Sequence, residues 1–391
     1  MRLDRLLTVD DFKRVAERRV PKMFFQYADS GAYTEQSYRE NSSDFSRIRL
    51  EQRVGRDISS RSLSTTMLGQ PVSLPLGLAP TGAAGMQVAD GEIKAARAAE
   101  KAGIPFTLST VSICSIEDVA AATSRPFWFQ LYVRKDRAFT ERLIDRARAA
   151  NCAALVVTLD CQHYGQRHKD VRNGLTVPLK FTPKFVAELA LKPAWALAML
   201  GTPRRSFGNF AGHVPGATTV AELAQWMSQQ DDLTLNWQDL GWIKRRFGGP
   251  LVVKGILHAD DARAAVSHGA DAIVVSNHGG RQLDGAPSTI RVLPRIVDAV
   301  GGSCEIYLDS GIRSGHDMLK AVALGARAVF IGRPMLYGLG VAGEAGVTRI
   351  LDILRAEADS ALGLMGETDV TQLGAHNVES NDLVRPSSPP P

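Results

Sequence analysis

Residues 272–285 read AIVVSNHGGRQLDG: four apolar residues, then a serine, an imidazole, two adjacent glycines and a guanidinium. A continuous β-branched run of this kind is what a strand buried on both faces looks like. Polar groups placed immediately after it stand where such a strand would emerge from the core. The adjacent glycines permit backbone conformations and close approaches that bulkier residues resist.

Seven further runs resemble it: VSLPLGLA (72–79), PFTLS (105–109), FWFQLY (127–132), ALVVTLD (154–160), LVVKG (251–255), EIYLDSG (305–311) and AVFIGR (328–333). Between them lie Ala- and charge-rich stretches such as DGEIKAARAAEKAG and GHDMLKAVALGA, several ending in glycine as helix C-termini do. Strand followed by helix, eight times over, predicts an α/β fold of the (β/α)₈ TIM-barrel type. Active sites of that fold gather at the C-terminal ends of the strands. Residues 1–70 should form a helical cover, residues 176–235 an insertion after the fourth strand, and residues 72–363 the barrel, all within one domain ending near 373. The tail 374–391, ending in RPSSPPP, should be disordered.

Chain chemistry narrows the function. The 391 residues are 45% hydrophobic, enough for a large core, and 46 basic against 41 acidic residues give a formal charge of +5. That excess is too mild to imply nucleic acid. The four cysteines, at 114, 152, 161 and 304, form no Cys-x-x-Cys pair, and the charged N-terminus lacks the apolar region of an export signal. A reduced, cytoplasmic setting is expected. No uninterrupted apolar stretch reaches the roughly 18 residues of a membrane span, so any membrane contact should be peripheral.

A barrel makes the eight strand ends neighbours, and each ends in chemistry: Thr81, Ser109, Gln130 with Tyr132, Thr158 with Asp160, Lys254, Ser276 with His278 and Arg281, Asp309 with Arg313, and Gly332 with Arg333. Arginine offers a planar fork matched to a carboxylate, and histidine accepts a proton near neutral pH. His278 and Arg281 together suit a small acid oxidised at the neighbouring carbon. Asp160 within reach of His278 would favour the imidazolium. Tyr27 and Tyr132 can each donate a phenolic hydrogen bond. Lys254, ending a buried run, needs an anionic partner or a shifted pKa, and reads either as a Schiff-base nucleophile or as a counter-ion to a reduced cofactor. DSGIRSG (309–315) and IGRP (331–334) follow strands seven and eight, where barrels often bind phosphate. His163 and His168, five apart and without an acidic pattern, predict no metal site.

SNHGGRQLDG, with LVVKG before it and DSGIRSG and FIGRP after it, resembles the FMN-dependent α-hydroxy acid dehydrogenase and oxidase family. LAPTG (78–82) and FQLY (129–132) support the likeness, which runs from PKMFFQYADSGA (21–32) to about residue 373. The resemblance implies FMN packed on Ala79, Pro80, Thr81 and Gly82 and contacted by Ser109, Gln130, Thr158, Lys254 and Ser276. It places the phosphate on Asp309, Gly311, Arg313, Gly332 and Arg333. Tyr27, Tyr132, Arg167, His278 and Arg281 would hold the substrate, with His278 as base, Asp160 as its partner and Lys254 beside the flavin. Val111 and Gly82 replace a tryptophan and an alanine of the glycolate-oxidase type, and LKPAWALAMLG (191–201) looks more like the membrane-associated lactate and mandelate dehydrogenases.

The expected activity is therefore oxidation of an L-2-hydroxy acid, lactate first, to the 2-oxo acid in a homo-oligomer. Alternatives are a soluble oxygen-using oxidase, a flavin barrel for phosphorylated substrates, and a flavin-free lyase using Lys254. Residues 176–210 carry Lys180, Lys184, Lys192, Arg204 and Arg205 beside Phe181, Phe185, Trp195, Phe207 and Phe210. Cations beside aromatics and leucines predict a segment in the headgroup region of an anionic membrane, on the inner face, with a quinone as electron acceptor. A lid over the active site or a subunit contact is the plainer reading.

Overall fold

The computed structural model describes residues 2–175 and 183–380. All eight expected runs are parallel strands of one sheet: β1 (Leu76–Leu78), β2 (Thr107–Ser109), β3 (Trp128–Leu131), β4 (Ala154–Thr158), β5 (Leu251–Ile256), β6 (Ala272–Val275), β7 (Glu305–Leu308) and β8 (Ala328–Ile331). β1 pairs with β8, and the order runs from β8 down to β2. A parallel bridge between Leu78 and Phe106 closes the ring. The helices that return the chain between strands are α1 (Gly91–Ala102), α2 (Ile116–Ala122), α3 (Arg137–Ala149), α4 (Asp239–Phe247), α5 (Ala259–Ser267), α6 (Thr289–Val300) and α7 (Gly315–Ala323), followed by α8 (Arg333–Leu364). Capping boxes start two of them, Ser115 with Asp118 at α2 and Ser314 with Asp317 at α7, satisfying amide groups the first turn leaves open.

Alternate residues of a strand face opposite sides of the sheet. Here one set, including Leu155, Val157, Val253, Ile273 and Val275, packs under the helices, and the other, Trp128, Ala154, Val156, Val252, Ala272, Val274, Tyr307, Ala328 and Phe330, forms a separate apolar core inside the barrel. Trp128, Tyr307 and Phe330 plug that interior with ring centroids 5.6–5.9 Å apart. Continuing the same alternation upward brings Gln130, Thr158, Lys254, Ser276 and Asp309 to the top of the interior, all buried. The antiparallel hairpin Thr65–Met67/Gln70–Val72 lies at the other end, where the Leu68 amide donates to Tyr307 Oη at 3.2 Å.

The N-terminal cover is helical as expected, with Val9–Arg19, Lys22–Ala28 and Gln36–Ser43. The tail departs from expectation. Val378–Ser380 pairs antiparallel with Ile48–Leu50, preceded by a 3₁₀ turn at Ala375–Asn377, so ordered structure extends past 373. Backbone pairing, which composition does not reveal, anchors this segment; residues 381–391 lie outside the described residues.

Gly77 makes the aromatic plug possible, because a Cβ there would lie 2.4 Å from the Phe330 ring, itself held between Trp128 and Tyr307. Gly77→Ala should therefore lower unfolding free energy by about 1–3 kcal/mol through overpacking, measured by urea denaturation. Unchanged stability would show that the plug is loose.

Candidate functional site

A cavity of about 400 Å³ opens at the C-terminal ends of the strands. Its walls include Tyr27, Ala79, Pro80, Thr81, Gly82, Tyr132, Arg167, Lys254, His278, Arg281, Asp309, Gly311, Arg313, Gly332 and Arg333. Residues drawn from eight strand ends and the N-terminal cover thus meet in one place. Ser109, Gln130, Thr158 and Ser276 sit buried in the strand ends beneath it, and Asp160 stands behind His278.

His278, Gly279 and Gly280 all have positive φ, +57°, +69° and +72°. This left-handed segment answers the question the paired glycines raise. A Cβ on Gly279 would meet the Arg333 guanidinium at 2.6 Å, and one on Gly280 would meet the Tyr38 backbone at 2.4 Å. Gly255, at φ +106°, does the same for the carboxylate: a Cβ there would lie 2.7 Å from Asp160 Cβ, and the β5–β6 register shifts around it. The two glycine positions bring Asp160 and His278 together. Nδ1 of His278 lies 3.1 Å from Asp160 Oδ1 and 3.3 Å from Oδ2.

A buried relay continues from this pair. The His278 amide donates to Ser276 Oγ (3.1 Å), Lys254 Nζ donates to the same oxygen (2.7 Å), and Lys254 is ion-paired with Asp309 Oδ2 at 2.9 Å. Burial works against the Lys254 ammonium, but the Asp309 and Asp160 carboxylates outweigh it and hold the lysine pKa above its ordinary value. Lys254 is thus a fixed cation, unsuited to be a neutral Schiff-base nucleophile. Burial likewise pushes the Asp160 carboxyl up, yet His278 and Lys254 beside it draw it below the usual carboxylate range. Asp309 lines the cavity, and its carboxylate also accepts from Lys254 Nζ at 2.9 Å and from Ser310 Oγ at 2.7 Å.

The cationic wall comprises Arg281 and Arg167, whose guanidinium carbons lie 4.9 and 5.9 Å from the Tyr27 ring centroid. Burial and the neighbouring Arg167 push Arg281 down to about 10. Asp170 holds Arg167 at 2.6 Å, while Arg281 Nη1 donates to the Tyr27 and Ser30 carbonyls. Carbonyl oxygens carry no full charge, so this pair of guanidiniums keeps an excess of positive potential suited to an anion.

Two buried polar atoms bear on a cofactor. Gln130 Oε1 accepts from Ser109 Oγ (3.1 Å) and the Thr110 amide (3.2 Å), which leaves Nε2 as a donor, and neither Nε2 nor Thr158 Oγ1 has a partner. An unpaired buried donor costs about 1–3 kcal/mol. A polar planar ligand over the strand ends would satisfy both. The loops after β7 and β8 supply Gly311, Arg313, Gly332 and the N-terminus of α8, the arrangement barrels use for phosphate. These residues fit FMN.

Sequence reading missed several lining residues. Cys161 lies 3.4 Å from His278 Nδ1, and it immediately follows Asp160 in the chain. Arg134, with Asp231 at 2.9 Å, and Tyr164 also face the cavity. Arg134 stands two residues past Tyr132, but its partner is 97 positions away and leaves no local signal.

The insertion divides in two. Helix Val220–Gln229 is a lid, contributing Ala224, Met227 and Ser228 to the cavity wall. Helices Pro183–Ala190 and Pro193–Gly201 lie outside it. Trp195 stacks on Phe24 and donates to the Met86 carbonyl, Phe185 packs edge-on to Phe24, and Phe207 and Phe210 are buried. Arg204 is ion-paired with Asp90 and Asp118, and Lys192 and Arg205 donate to backbone carbonyls. Aromatics and arginines therefore serve the protein's own packing. Of the expected cations, aromatics and leucines, it is the aliphatic side chains that face outward, with Val186 59%, Leu191 81%, Leu197 68% and Leu200 66% exposed. Lys180 and Phe181 lie outside the described residues, as does the Lys184 side chain. No described helix is long and apolar enough to cross a membrane.

The model of the FMN-dependent dehydrogenase family matches residues 16–380. The L-lactate dehydrogenase of Ectopseudomonas mendocina is 46% identical over 365 residues, covering 93% of this chain and 96% of its own, and that of Pseudomonas syringae pv. syringae is 44% identical over 370, covering 94% and 97%. Among solved structures, the monotopic membrane protein (S)-mandelate dehydrogenase superposes with a TM-score of 0.92 at 37% identity, covering 96% of this chain and all of the other. A mandelate oxidase complex with (S)-4-hydroxymandelic acid gives 0.81 at 35%, covering 96% and 99%.

The depressed Asp160 carboxyl has a pH consequence. A carboxyl whose pKa is lowered by folding stabilises the protein above its unfolded value, near 3.9, and loses that contribution as the pH falls through the lower folded value. The unfolding free-energy advantage of wild type over Asp160→Asn should shrink between about pH 5 and pH 3, read by urea titration at each pH. A gap that widened on acidification would contradict the assignment.

Proposed function

On the premise that the chain belongs to the FMN-dependent dehydrogenase family, we propose that it oxidises L-2-hydroxy acids, lactate first, to the 2-oxo acids. The observation that carries this reading is the His278–Asp160 pair in a cavity that Arg167 and Arg281 also line. The guanidiniums hold the substrate carboxylate, and Tyr27 and Tyr132 offer phenolic donors to its oxygens. With Nδ1 engaged by Asp160, Nε2 is the nitrogen that takes a proton from the substrate, and the carboxylate then stabilises the imidazolium. The strand-end residues and the Lys254 cation would hold FMN, which would supply the two-electron acceptor.

The lactate dehydrogenase relatives favour a small side chain, while Gly82, Val111, Ala224 and Met227 in the cavity wall leave room for larger ones. The exposed aliphatic surface of 186–200 supports peripheral attachment to a membrane, and we place that attachment on the inner face with a quinone-type acceptor. The likeness to a monotopic enzyme points the same way.

His278→Gln should keep FMN bound and slow its anaerobic reduction by L-lactate by about 10²- to 10⁴-fold in stopped flow, the usual contribution of a positioned base. Near-normal reduction would sink the assignment. For the membrane surface, each leucine removed from an apolar phase forfeits about 1.5–3 kcal/mol, so Leu197→Ser/Leu200→Ser should cut liposome co-sedimentation by at least about tenfold. Equal partitioning of both proteins, together with rapid reoxidation of the wild type by oxygen, would favour a soluble oxidase.

A further inference from the structure

The catalytic pair has a third neighbour that the proposed reaction does not use. Cys161 Sγ lies 3.4 Å from His278 Nδ1 and 3.4 Å from Asp160 Oδ1, and those two atoms are 3.1 Å apart. Sulfur, nitrogen and oxygen thus form a nearly equilateral triangle, the only grouping of three potential metal-ligand side chains this close among the described residues. A tetrahedral zinc ion with Zn–S near 2.3 Å and Zn–N and Zn–O near 2.1 Å requires ligand separations of about 3.5 Å to sulfur and about 3.4 Å between nitrogen and oxygen. The observed spacings agree within a few tenths of an ångström. Cys161 and His278 both line the cavity, which gives an ion a route in and leaves a fourth position for water.

We propose that Cys161, His278 and Asp160 form a binding site for a thiophilic divalent cation, Zn²⁺ or Cd²⁺, directly on the catalytic pair. The donor set selects against Mg²⁺ and Ca²⁺, which take oxygen ligands. The frame is already rigid, because Asp160 is positioned against Gly255 and His278 stands in its left-handed loop. Binding is balanced in protons. The ion displaces the thiol proton to solvent and takes the place of the Nδ1 proton, which a neutral imidazole then carries on Nε2. One proton leaves per ion, and the thiolate and carboxylate neutralise the double charge. Burial and the Asp160 carboxylate, which hold the Cys161 thiol protonated in the free protein, moderate the affinity.

The consequence for activity rests on the reading of His278 as base. A histidine metallated at Nδ1 and protonated at Nε2 cannot accept the substrate proton, so an occupied site is a silenced one. Release of the ion restores the base without any change of fold.

The experiment is isothermal titration of ZnCl₂ into the FMN-loaded protein in two buffers of different ionisation enthalpy. We expect one Cys161-dependent ion per chain and release of about one proton, with no such binding of MgCl₂. Cys161→Ala and Cys161→Ser, each verified by an unchanged flavin spectrum, should weaken this binding by at least about tenfold. In parallel, zinc should suppress anaerobic flavin reduction by L-lactate in the wild type by at least about tenfold, reversibly with EDTA, while each variant keeps most of its own zinc-free rate. Equal zinc affinity in wild type and both variants would overturn the site. Cys161-dependent binding that left flavin reduction untouched would uphold the site and count against His278 as the base.

Discussion

An ammonium cannot sit inside a barrel of apolar side chains without partners, and Lys254 has two. Asp309, just past β7 and two strands along the sheet, neutralises it at 2.9 Å, and Ser276, just past β6, accepts from it at 2.7 Å. Removing either charge would leave the other buried and unpaired, at a cost of several kcal/mol. The pair therefore ties the ends of β5, β6 and β7 into one polar layer. Ser276 passes that constraint to the His278 amide, and the loop after β6 takes the conformation that sets His278 against Asp160. The geometry of the His278–Asp160 pair is downstream of a buried ion pair.

The polar layer sits where it does because of the two-residue period of a strand. Trp128, Val156, Val252, Val274 and Tyr307 fill the interior below, and their next inward neighbours are Gln130, Thr158, Lys254, Ser276 and Asp309. An aromatic plug at one level makes the floor of the cavity at the next. Hydrogen bonds within the protein leave two atoms of that floor, Gln130 Nε2 and Thr158 Oγ1, without partners, which fits a polar ligand resting on it.

This periodicity explains what the sequence discloses. Eight apolar runs with polar endings were readable as strands, and closing them into a barrel placed His278, Arg281, Lys254 and Asp160 around one mouth without any knowledge of distances. What stayed hidden was pairwise. The Lys254–Asp309 ion pair was not legible because nothing local to either residue marks the other. Cys161 looked like one of four unremarkable thiols because its neighbour His278 is 117 positions away. The end strand at Val378–Ser380 has no compositional mark, since its stability comes from backbone bonds to Ile48–Leu50.

The insertion shows the same limit at a larger scale. Its mixture of cations, aromatics and leucines matches an interfacial segment, but side-chain direction decides which of these residues face out, and composition does not encode direction. Phe24 of the N-terminal cover turns Trp195 and Phe185 inward, Asp90 and Asp118 hold Arg204, and the aliphatic positions 186, 191, 197 and 200 are left facing out. Aliphatic burial draws its strength from apolar area and is insensitive to salt, whereas headgroup contact through arginine weakens as ions screen it. Attachment through this surface should therefore persist as ionic strength rises. The lid helix Val220–Gln229 follows in the same insertion and walls the cavity, so one excursion of the chain carries both the outward apolar face and part of the substrate enclosure.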